Sequence, residues 1–435
     1  MTIKVLNLKG LTLLPPLNVP QGTYTVDAEG TYNVANYEFI EVLIEKGDIK
    51  KVVCAEGVTW ALKKDGTLWG CGQGNYGQQS SGSTSNVTTF TQRLDNVKEI
   101  FSFGQTTWAI KNDDTLWGCG ANFYGQQGNG ESGTDKKVLV FTQMMTDAKK
   151  VFGTWTNTCV LKNDGTLWMC GKNDYGQQSS GDSKDVKVFT QRAENVKDGK
   201  ASNGVVWILK EDNTLWGCGD GGNGRQGNGS TAIVYTLTQR LENVKDFDCS
   251  ATTWAVKNDG TLWGCGLNNK GQQGAGNTTD VTSFTQRMED VASVVCSSYA
   301  TWVIKTDGTL WGCGESNYGQ QGSGSTSNVK VFTQRMEDVF NVACSTETTW
   351  AIKNDGTLWG CGSNDNGQQG SGSTSSVVSR FTQRLEDVKD VSLHYTSTWA
   401  LKTDGTLWGC GRNTNGQQGS GDTTDVKVFT QRTLA

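Results

Sequence analysis

The chain has 435 residues, 35% of them hydrophobic, and a formal net charge of −5. An acidic chain of this kind is a poor candidate for non-specific binding to nucleic acid or to an anionic membrane surface. No stretch reaches the roughly 18 apolar residues of a membrane helix, so we expect no membrane insertion.

The chain opens with an apolar lead, residues 1–21, which is interrupted by Pro15 and Pro16. This lead lacks the clean apolar core and the small-residue cleavage site of a signal peptide. Residues 22–47 contain two related stretches, G-T-Y-T-V-D and G-T-Y-N-V-A, and then an alternating segment over 37–44 that predicts a strand. The segment resembles elements of the form N-G-T-Y-D-V that are common in tail and virion-surface proteins of bacteriophages.

About 25 strand-forming residues are too few to bury a core of their own. We therefore predict that residues 1–47 form a short N-terminal β-rich extension that anchors the protein and needs a neighbour. That neighbour is the side of the following domain, another copy of the chain or a component of an assembly. The resemblance implies virion or tail components as partners of the extension.

From residue 49 onward the sequence repeats one pattern eight times, and its most constant part is T-W-A-L-K-K-D-G-T-L-W-G-C-G at residues 59–72. The second tryptophan of the pattern recurs at spacings of 48, 51, 48, 47, 48, 48 and 49 residues. A nearly constant period of this size is typical of repeat architectures. The eight tryptophans are Trp69, Trp117, Trp168, Trp216, Trp263, Trp311, Trp359 and Trp408.

Each repeat predicts four short strands. Two of them flank Asp65-Gly66, a strong hairpin signal that suggests a type I′ turn with two residues at positive φ. An apolar run before this hairpin and a V-T-T-F-T-Q-R run after it supply the other two. Four strands in about 48 residues match one propeller blade. We therefore predict an all-β propeller over residues 48–435, with eight four-stranded blades closed by contact between the first and the last, and with seven blades as the alternative.

The repeats resemble those of the regulator-of-chromosome-condensation family. In the first repeat the matching positions are Thr59, Ala61-Leu62, Asp65-Gly66, Trp69-Gly70 and Gly77-Gln78. The resemblance covers nearly nine tenths of the chain and implies a propeller. Three features depart from the family pattern: the family histidine is absent, the leucine of G-Q-L-G is glutamine in every repeat, and the usual blade number is seven.

Thirteen cysteines are present, and eight of them occupy one position of the repeat. An odd number of cysteines spread over strands argues against a disulfide framework, so we expect reduced, buried thiols in a reducing compartment. Because the sequence has no C-x-x-C pair and one histidine, we expect no metal site and no cofactor. A repeated Ser-His or Cys-His arrangement is absent as well, and we therefore predict that the protein is not an enzyme.

Other recurrent residues have structural explanations. The turn aspartates lack the spacing of a calcium loop. Lys63 and its equivalents have an aspartate two residues on and predict a neutralised rim, with an anion-binding ring as the alternative. Gln78 and Gln79 are expected to satisfy loop backbone groups, with a ligand-facing ring as the alternative. Gly70 is expected to leave room for a tryptophan of the neighbouring hairpin, and His394 is expected in a surface loop.

Variation among the repeats points to a binding surface. The loops from first to second strand and from third to fourth strand emerge at one face of a propeller, and these loops differ most. They carry exposed aromatic residues beside Asn, Ser and Gly, a composition typical of protein and sugar recognition surfaces; packing of these side chains against neighbouring loops is the alternative. The candidate binding residues are Tyr76, Phe123, Tyr124, Trp155, Tyr175, Tyr299, Tyr318 and Tyr395.

Three functions follow as hypotheses. The preferred one is a non-enzymatic virion or tail-associated structural protein, located in the virion, that recognises a protein or glycan on a host surface through one propeller face. The alternative is an intracellular, cytoplasmic protein-interaction propeller, similar to a GTPase exchange factor or an enzyme inhibitor. A hydrolase of surface glycans is the third, although no paired-carboxylate motif is common to the blades.

Overall fold

In the computed structural model, the described residues are 47–373 and 375–434, together with four two-residue strands in the first 46 residues. The predicted extension, with its strand over 37–44, otherwise lies outside the described residues. The four short strands form two antiparallel pairs, β1 with β2 and β3 with β4. They are β1 Thr2–Ile3, β2 Tyr24–Thr25, β3 Tyr32–Asn33 and β4 Phe39–Ile40.

The described residues of the repeat region form eight four-stranded sheets, each an antiparallel meander of consecutive strands. The prediction of an all-β propeller with eight blades is confirmed. Blade 1 comprises β5 Ile49–Ala55, β6 Val58–Lys63, β7 Leu68–Gly72 and β8 Val87–Leu94, and blade 2 comprises β9 Val97–Phe103, β10 Thr106–Lys111, β11 Leu116–Gly120 and β12 Val138–Met145. Blade 3 comprises β13 Ala148–Gly153, β14 Asn157–Lys162, β15 Leu167–Gly171 and β16 Val186–Ala193. Blade 4 comprises β17 Val196–Ser202, β18 Val205–Lys210, β19 Leu215–Gly219 and β20 Val234–Leu241.

A single turn of 3₁₀ helix, Gly222–Gly224, lies in a loop of blade 4. Blade 5 comprises β21 Val244–Cys249, β22 Thr252–Lys257, β23 Leu262–Gly266 and β24 Val281–Met288, and blade 6 comprises β25 Val291–Cys296, β26 Ala300–Lys305, β27 Leu310–Gly314 and β28 Val329–Met336. Blade 7 comprises β29 Val339–Cys344, β30 Thr348–Lys353, β31 Leu358–Ser363 and β32 Val377–Leu385. Blade 8 comprises β33 Val388–His394, β34 Ser397–Lys402, β35 Leu407–Gly411 and β36 Val426–Arg432.

The first strand of each blade is the inner one. First strands of neighbouring blades contact each other, and those of blades 1 to 5 line a cavity of ≈ 360 Å³ in the central channel. The second strand is buried along nearly its whole length, because each blade packs between two others. The fourth strand is mostly exposed or half-buried, as expected for the outer edge of a blade, and in blade 2 its one buried residue is Phe141.

The core lies in layers between the blades. In seven of the eight interfaces, a second-strand tryptophan packs against a fourth-strand phenylalanine of the next blade, as Trp60 packs against Phe141 with ring centroids 5.7 Å apart. The interface between blades 3 and 4 has Cys159 and Leu237 in these positions. Tilted and edge-on ring pairs of this kind add stabilisation beyond the apolar area that they bury.

Glycine at the Gly70 position makes room for a tryptophan of its own hairpin, not of the neighbouring one, so that prediction is wrong in this detail. Gly70 pairs with Trp60 across the hairpin, and a Cβ atom on Gly70 would lie 2.6 Å from Trp60 Cζ3. Blade 3 supports this explanation. Its tryptophan is replaced by Cys159, and the opposite glycine is replaced by Met169, which fills the space and is fully buried.

The hairpin turn differs from the predicted type I′. Gly66 N–H donates to Lys63 O at 3.1 Å, and Lys63 N–H donates to Thr67 O at 2.9 Å. Gly66, at φ +85°, is the one turn residue with positive φ. This is a three-residue loop with a type I turn and a left-handed residue that forms a bulge. The Asp65 carboxylate selects it by accepting hydrogen bonds from Thr67 N–H and Oγ1 at 2.8 and 2.7 Å.

The ring closes by contact between blades 8 and 1, as predicted. Thr59 Oγ1 donates to the main-chain oxygen of Gln417 at 2.8 Å, and Gly47 N–H donates to Asp404 O at 2.9 Å. An isolated bridge also joins Thr89 of blade 1 to Ser420 of blade 8. Each blade is one continuous segment, so no blade mixes strands from the two ends of the propeller.

Candidate functional site

The paired glutamines hold the loops between third and fourth strands. Gln79 Nε2 donates to Cys71 O at 2.6 Å, and the backbone N–H of Tyr76 donates to Gln78 Oε1 at 2.8 Å. Both glutamine side chains are fully buried. The prediction that they satisfy loop backbone groups is confirmed, and the alternative of a ligand-facing ring is wrong. The loop backbone is therefore fixed, while the side chain at the Tyr76 position remains free to vary.

The same loops are joined to the next blade by a shared acceptor. Thr107 Oγ1 and Cys119 Sγ both donate to Gln78 O, at 3.1 and 3.7 Å. The cysteine bond occurs at all eight interfaces and the complete pair at seven of them, with Arg225 O as the acceptor between blades 4 and 5. Only the interface between blades 3 and 4 lacks the hydroxyl donor, because valine replaces threonine there.

The thirteen cysteines form no disulfide in this structure, and the predicted burial is confirmed for ten of them. Burial raises the pKa of Cys218 to about 12, so this thiol stays protonated and keeps its S–H donor. The recurrent cysteine is thus more than a small apolar residue. Its weak hydrogen bond ties one blade to the next.

Four of the predicted binding residues come together on the loop face of blades 1 to 3, and we call them the aromatic arc: Tyr76, Phe123, Tyr124 and Trp155. Tyr76 meets Phe123 edge-on with ring centroids 5.5 Å apart, and Tyr124 meets Trp155 edge-on at 6.3 Å. The indole of Trp155 is 51% exposed. The arc therefore combines rings held in place by their neighbours with a large apolar surface open to solvent.

Two lysines complete the arc. Lys137 Nζ lies 5.4 Å from the centroid of the Tyr76 ring, and Lys172 Nζ lies 5.0 Å from that of Tyr124. Lys172 also pairs with Asp174 at 2.8 Å, and the hydrogen bond to this carboxylate raises the pKa of Lys172. Exposed cation–π contacts of this kind stabilise the orientation of the rings by roughly 0.5–1 kcal/mol each.

The other four predicted residues are more scattered. Tyr175 is exposed on the loop face of blade 3 and lies against Gly204 of blade 4. Tyr299 and Tyr318 belong to loops of blade 6, and Tyr395 lies at the first turn of blade 8. Among the described residues, no ring contact joins these three to the aromatic arc. The proposed surface is therefore concentrated on one side of the loop face.

On the opposite face, the lysines that end the second strands lie on tryptophans. Lys63 Nζ is 4.9 Å from the Trp69 ring centroid and 3.1 Å from Asp48 Oδ2. All eight blades show the same contact, with distances between 4.2 and 5.8 Å. The predicted neutralisation of the rim is found in three blades, but the partner is an aspartate just before the first strand and not the turn aspartate, because Thr67 binds the Asp65 carboxylate.

The remaining titratable groups give no reactive arrangement. His394 is the last residue of β33 and meets Tyr395 edge-on at 4.4 Å, so the prediction of a loop between strands is wrong. Burial lowers the pKa of His394 to about 4, which keeps the imidazole neutral near pH 7. Within residues 47–373 and 375–434, no three His, Cys, Asp or Glu side chains lie close enough together to hold a metal ion. No helix in this part of the chain is long and apolar enough to cross a membrane.

Comparison with known proteins supports the repeat type and the fold. Residues 148–177 match the family described as the regulator of chromosome condensation (RCC1) repeat. The structure is similar to human WBSCR16, with 18% identity, 74% of this chain and 93% of that chain covered, and a TM-score of 0.58. It is also similar to Prp20p from Saccharomyces cerevisiae, with 15% identity, 85% and 86% covered, and a TM-score of 0.57.

The yeast RCC1 (Prp20) chain in a complex with Kap60 is similar too, with 13% identity, 95% and 91% covered, and a TM-score of 0.58. No curated protein sequence matches the chain. Nothing in these comparisons supports the virion or tail role expected from residues 22–47. At these identities the solved structures establish the fold, and the matched segment establishes the repeat type. The chain is an eight-bladed β-propeller that carries a repeat of the RCC1 type.

Proposed function

We propose that this protein is a non-enzymatic protein-interaction propeller that binds its partner through the aromatic arc. The observation that carries the proposal is the arc itself. A loop backbone fixed by buried glutamines presents rings that vary from blade to blade, and Trp155 is half exposed at its edge. Binding hot spots are enriched in Trp, Tyr and Arg.

The comparisons favour this reading over the virion reading. Two of the similar structures are Prp20p, studied for its binding to Gsp1p and histones, and yeast RCC1 bound to Kap60. These partners are not transferred to this chain, but they support a propeller of this shape as a platform for proteins. Thirteen free thiols favour a reducing, intracellular location. The division into an extension, residues 1–47, and a propeller, residues 48–435, stays a prediction.

The test compares the arc with a matched position outside it. The protein is immobilised as the wild type, as Trp155→Ala and as Tyr318→Ala, and proteins bound from source-cell extract are quantified by mass spectrometry. Tyr318 occupies the same loop position as Tyr124 and is also solvent-accessible, but it has no ring partner among the described residues. Loss of a hot-spot contact is expected to weaken binding at least about 30-fold, equivalent to about 2 kcal/mol.

We expect at least one bound protein to be lost with Trp155→Ala and kept with Tyr318→Ala. Its direct binding is then measured with purified components. A protein set that is identical for all three baits would contradict a role of the arc. A second arm measures the release of fluorescent GDP from Gsp1p in the presence of the purified propeller. Acceleration of that release would identify the partner class as a small GTPase.

A further inference from the structure

A ring of lysines surrounds the channel mouth on the face opposite the aromatic arc. In every blade, the pairing between first and second strands skips the second residue of the first strand. Such a bulge turns its side chain away from the sheet. Because first strands line the channel, these side chains surround its mouth. Six of the eight are lysines, which we call the lysine ring: Lys50, Lys98, Lys149, Lys197, Lys245 and Lys389.

The positive charge of the ring is largely uncompensated. Among the described residues, Lys98 is the one ring member that forms an ion pair, with Asp114. Lys50 Nζ and Lys245 Nζ donate instead to main-chain oxygens of the next blade, at 2.7 and 3.1 Å. Four members are exposed: Lys50, Lys149, Lys197 and Lys245.

Five glutamates of the same face are held at its outer edge. The carboxylates of Glu194 and Glu242 accept hydrogen bonds from fourth-strand glutamines at 2.9 and 3.0 Å, and three further glutamates do the same. Since the fourth strand is the outermost of each blade, these charges lie away from the channel. The face is therefore basic at its centre and acidic at its rim.

Deeper in the channel the charges mostly cancel. Lys51 pairs with Glu99, Lys150 with Asp198, and Lys200 with Asp248. Asp246 and Asp390 have no such partner among the described residues, and burial raises the pKa of both carboxyls. These two carboxyls face the five ring lysines that form no ion pair among the described residues, so the mouth is positive.

The ring has an apolar gap. Blades 6 and 7 carry Ala292 and Phe340 in place of lysine, and Phe340 is 62% exposed. An exposed phenylalanine beside a basic ring suits a ligand that is both acidic and apolar. Inorganic anions meet only the first requirement, so the surface favours an acidic peptide segment with apolar side chains.

The chain itself contains such a segment. Residues 23–45 include five acidic residues and no basic one, and they include the apolar run F-I-E-V-L-I at 39–44. This segment joins the propeller at Gly47, whose N–H is bonded to Asp404 O in a turn of the same face. Its covalent attachment beside the ring gives an effective concentration in the millimolar range.

We propose that residues 23–45 lie across the lysine ring of the same chain, with their carboxylates toward the lysines and an apolar side chain against Phe340. This interaction is separate from the proposed partner site, because the ring and the aromatic arc lie on opposite faces. The extension then has the neighbour that it needs to bury its apolar residues. The arc stays open to a partner while the extension is bound.

Zero-length carbodiimide cross-linking of the full-length protein tests the contact. The reagent joins a carboxylate to a lysine in direct contact, and the products are mapped by mass spectrometry. We expect links from Glu38, Glu41 or Glu45 to members of the lysine ring. Three exposed lysines of the fourth strands, which form no ion pair within the described part of the chain, serve as internal controls: Lys187, Lys330 and Lys427. Links to these controls at the same frequency, or no links at all, would overturn the proposal.

Charge reversal gives an independent readout. The full chain is prepared with Lys149→Glu, Lys197→Glu and Lys245→Glu together, and cleavage by a glutamate-specific protease within residues 23–45 is timed. We expect cleavage to accelerate at least tenfold in this variant, and to accelerate in the wild type when salt is raised, because salt screens exposed charges. A matched variant with the three control lysines reversed is expected to match the wild type, and circular dichroism verifies that both variants are folded.

Two outcomes would refute the proposal: equal cleavage rates in the two variants, or protection that rises with protein concentration, which would place the segment on a second copy.

Discussion

The shared main-chain acceptor at each blade interface makes a quantitative prediction about stability. Between blades 5 and 6, Thr301 Oγ1 and Cys313 Sγ donate to Gln272 O at 2.9 and 3.3 Å, and both side chains are fully buried. Thr301→Val replaces the hydroxyl by a methyl group of similar size. Cys313→Ala removes the thiol. Each single change leaves the oxygen one donor, and the double change leaves it none.

The expected magnitudes follow from this difference. Loss of the hydroxyl bond is expected to lower the free energy of unfolding by about 1 kcal/mol. Loss of the thiol removes a weak donor and a small buried apolar group, for about 1–2 kcal/mol. The double variant buries an unpaired carbonyl, which costs about 1–3 kcal/mol. We therefore expect the double variant to be less stable than the sum of the two single effects by about 1 kcal/mol or more.

Urea unfolding of the four proteins measures this coupling. Thermal unfolding is less suitable, because 1 kcal/mol shifts the melting temperature of a chain of this size by only about 1 °C if the ring unfolds as one unit. Thr301→Ser keeps the hydroxyl and serves as the control. The shared acceptor would be refuted if the losses of unfolding free energy in the two single variants added up, within about 0.5 kcal/mol, to the loss in the double variant. It would also be refuted if Thr301→Ser and Thr301→Val lowered the free energy of unfolding equally.

Three further predictions concern packing, thiols and pH. Gly70→Ala places a Cβ 2.6 Å from Trp60 Cζ3 and is expected to destabilise the protein by about 1–3 kcal/mol in urea unfolding; wild-type stability would disprove the packing argument. A thiol reagent is expected to label at most three cysteines rapidly in the native protein, and a count near thirteen would contradict the buried thiols. The three half-buried candidates are Cys54, Cys296 and Cys344. Hydrogen bonds from Thr67 lower the pKa of Asp65 in the folded protein. The ionised carboxylate therefore stabilises the fold fully at pH values above the unfolded-state pKa of about 3.9. This stabilisation is lost as the pH falls through the lower folded-state pKa. Asp65→Asn is expected to reduce the loss of unfolding free energy at acid pH. An unchanged dependence of the unfolding free energy on acid pH would show that the turn does not contribute.

The blade number and the loop glutamines were accessible from the sequence for one reason. Both are local features that recur, so the spacing of Trp69 and its equivalents shows one unit after another. The turn type was not accessible at the same level. Asp65-Gly66 suits a type I′ loop as well as a three-residue loop, and the choice depends on Thr67, whose side chain binds the aspartate two residues earlier.

Contacts between repeats were the hardest to predict. Tyr76 and Tyr124 stand out because their loops vary, but their contacts with Phe123 and Trp155 depend on how each blade is rotated against the next. No single repeat encodes that rotation. The lysines at the second-strand ends illustrate the same limit. Lys63 is two residues from Asp65 in sequence, yet the side chain reaches Trp69 and Asp48 because strand pairing places them closer.

Closure by simple contact has a consequence for the history and engineering of the chain. Since the seam between the last and first blades uses the same bonds as the other interfaces, no blade is marked as the starting one. The polypeptide can be cut at any connection between blades, and a short linker from Leu434 to Gly47 gives a circular permutant with every sheet intact. A whole blade is likewise the natural unit of duplication or loss. Rings of other sizes are then reached by copying one segment, with the angle between neighbouring blades as the main constraint.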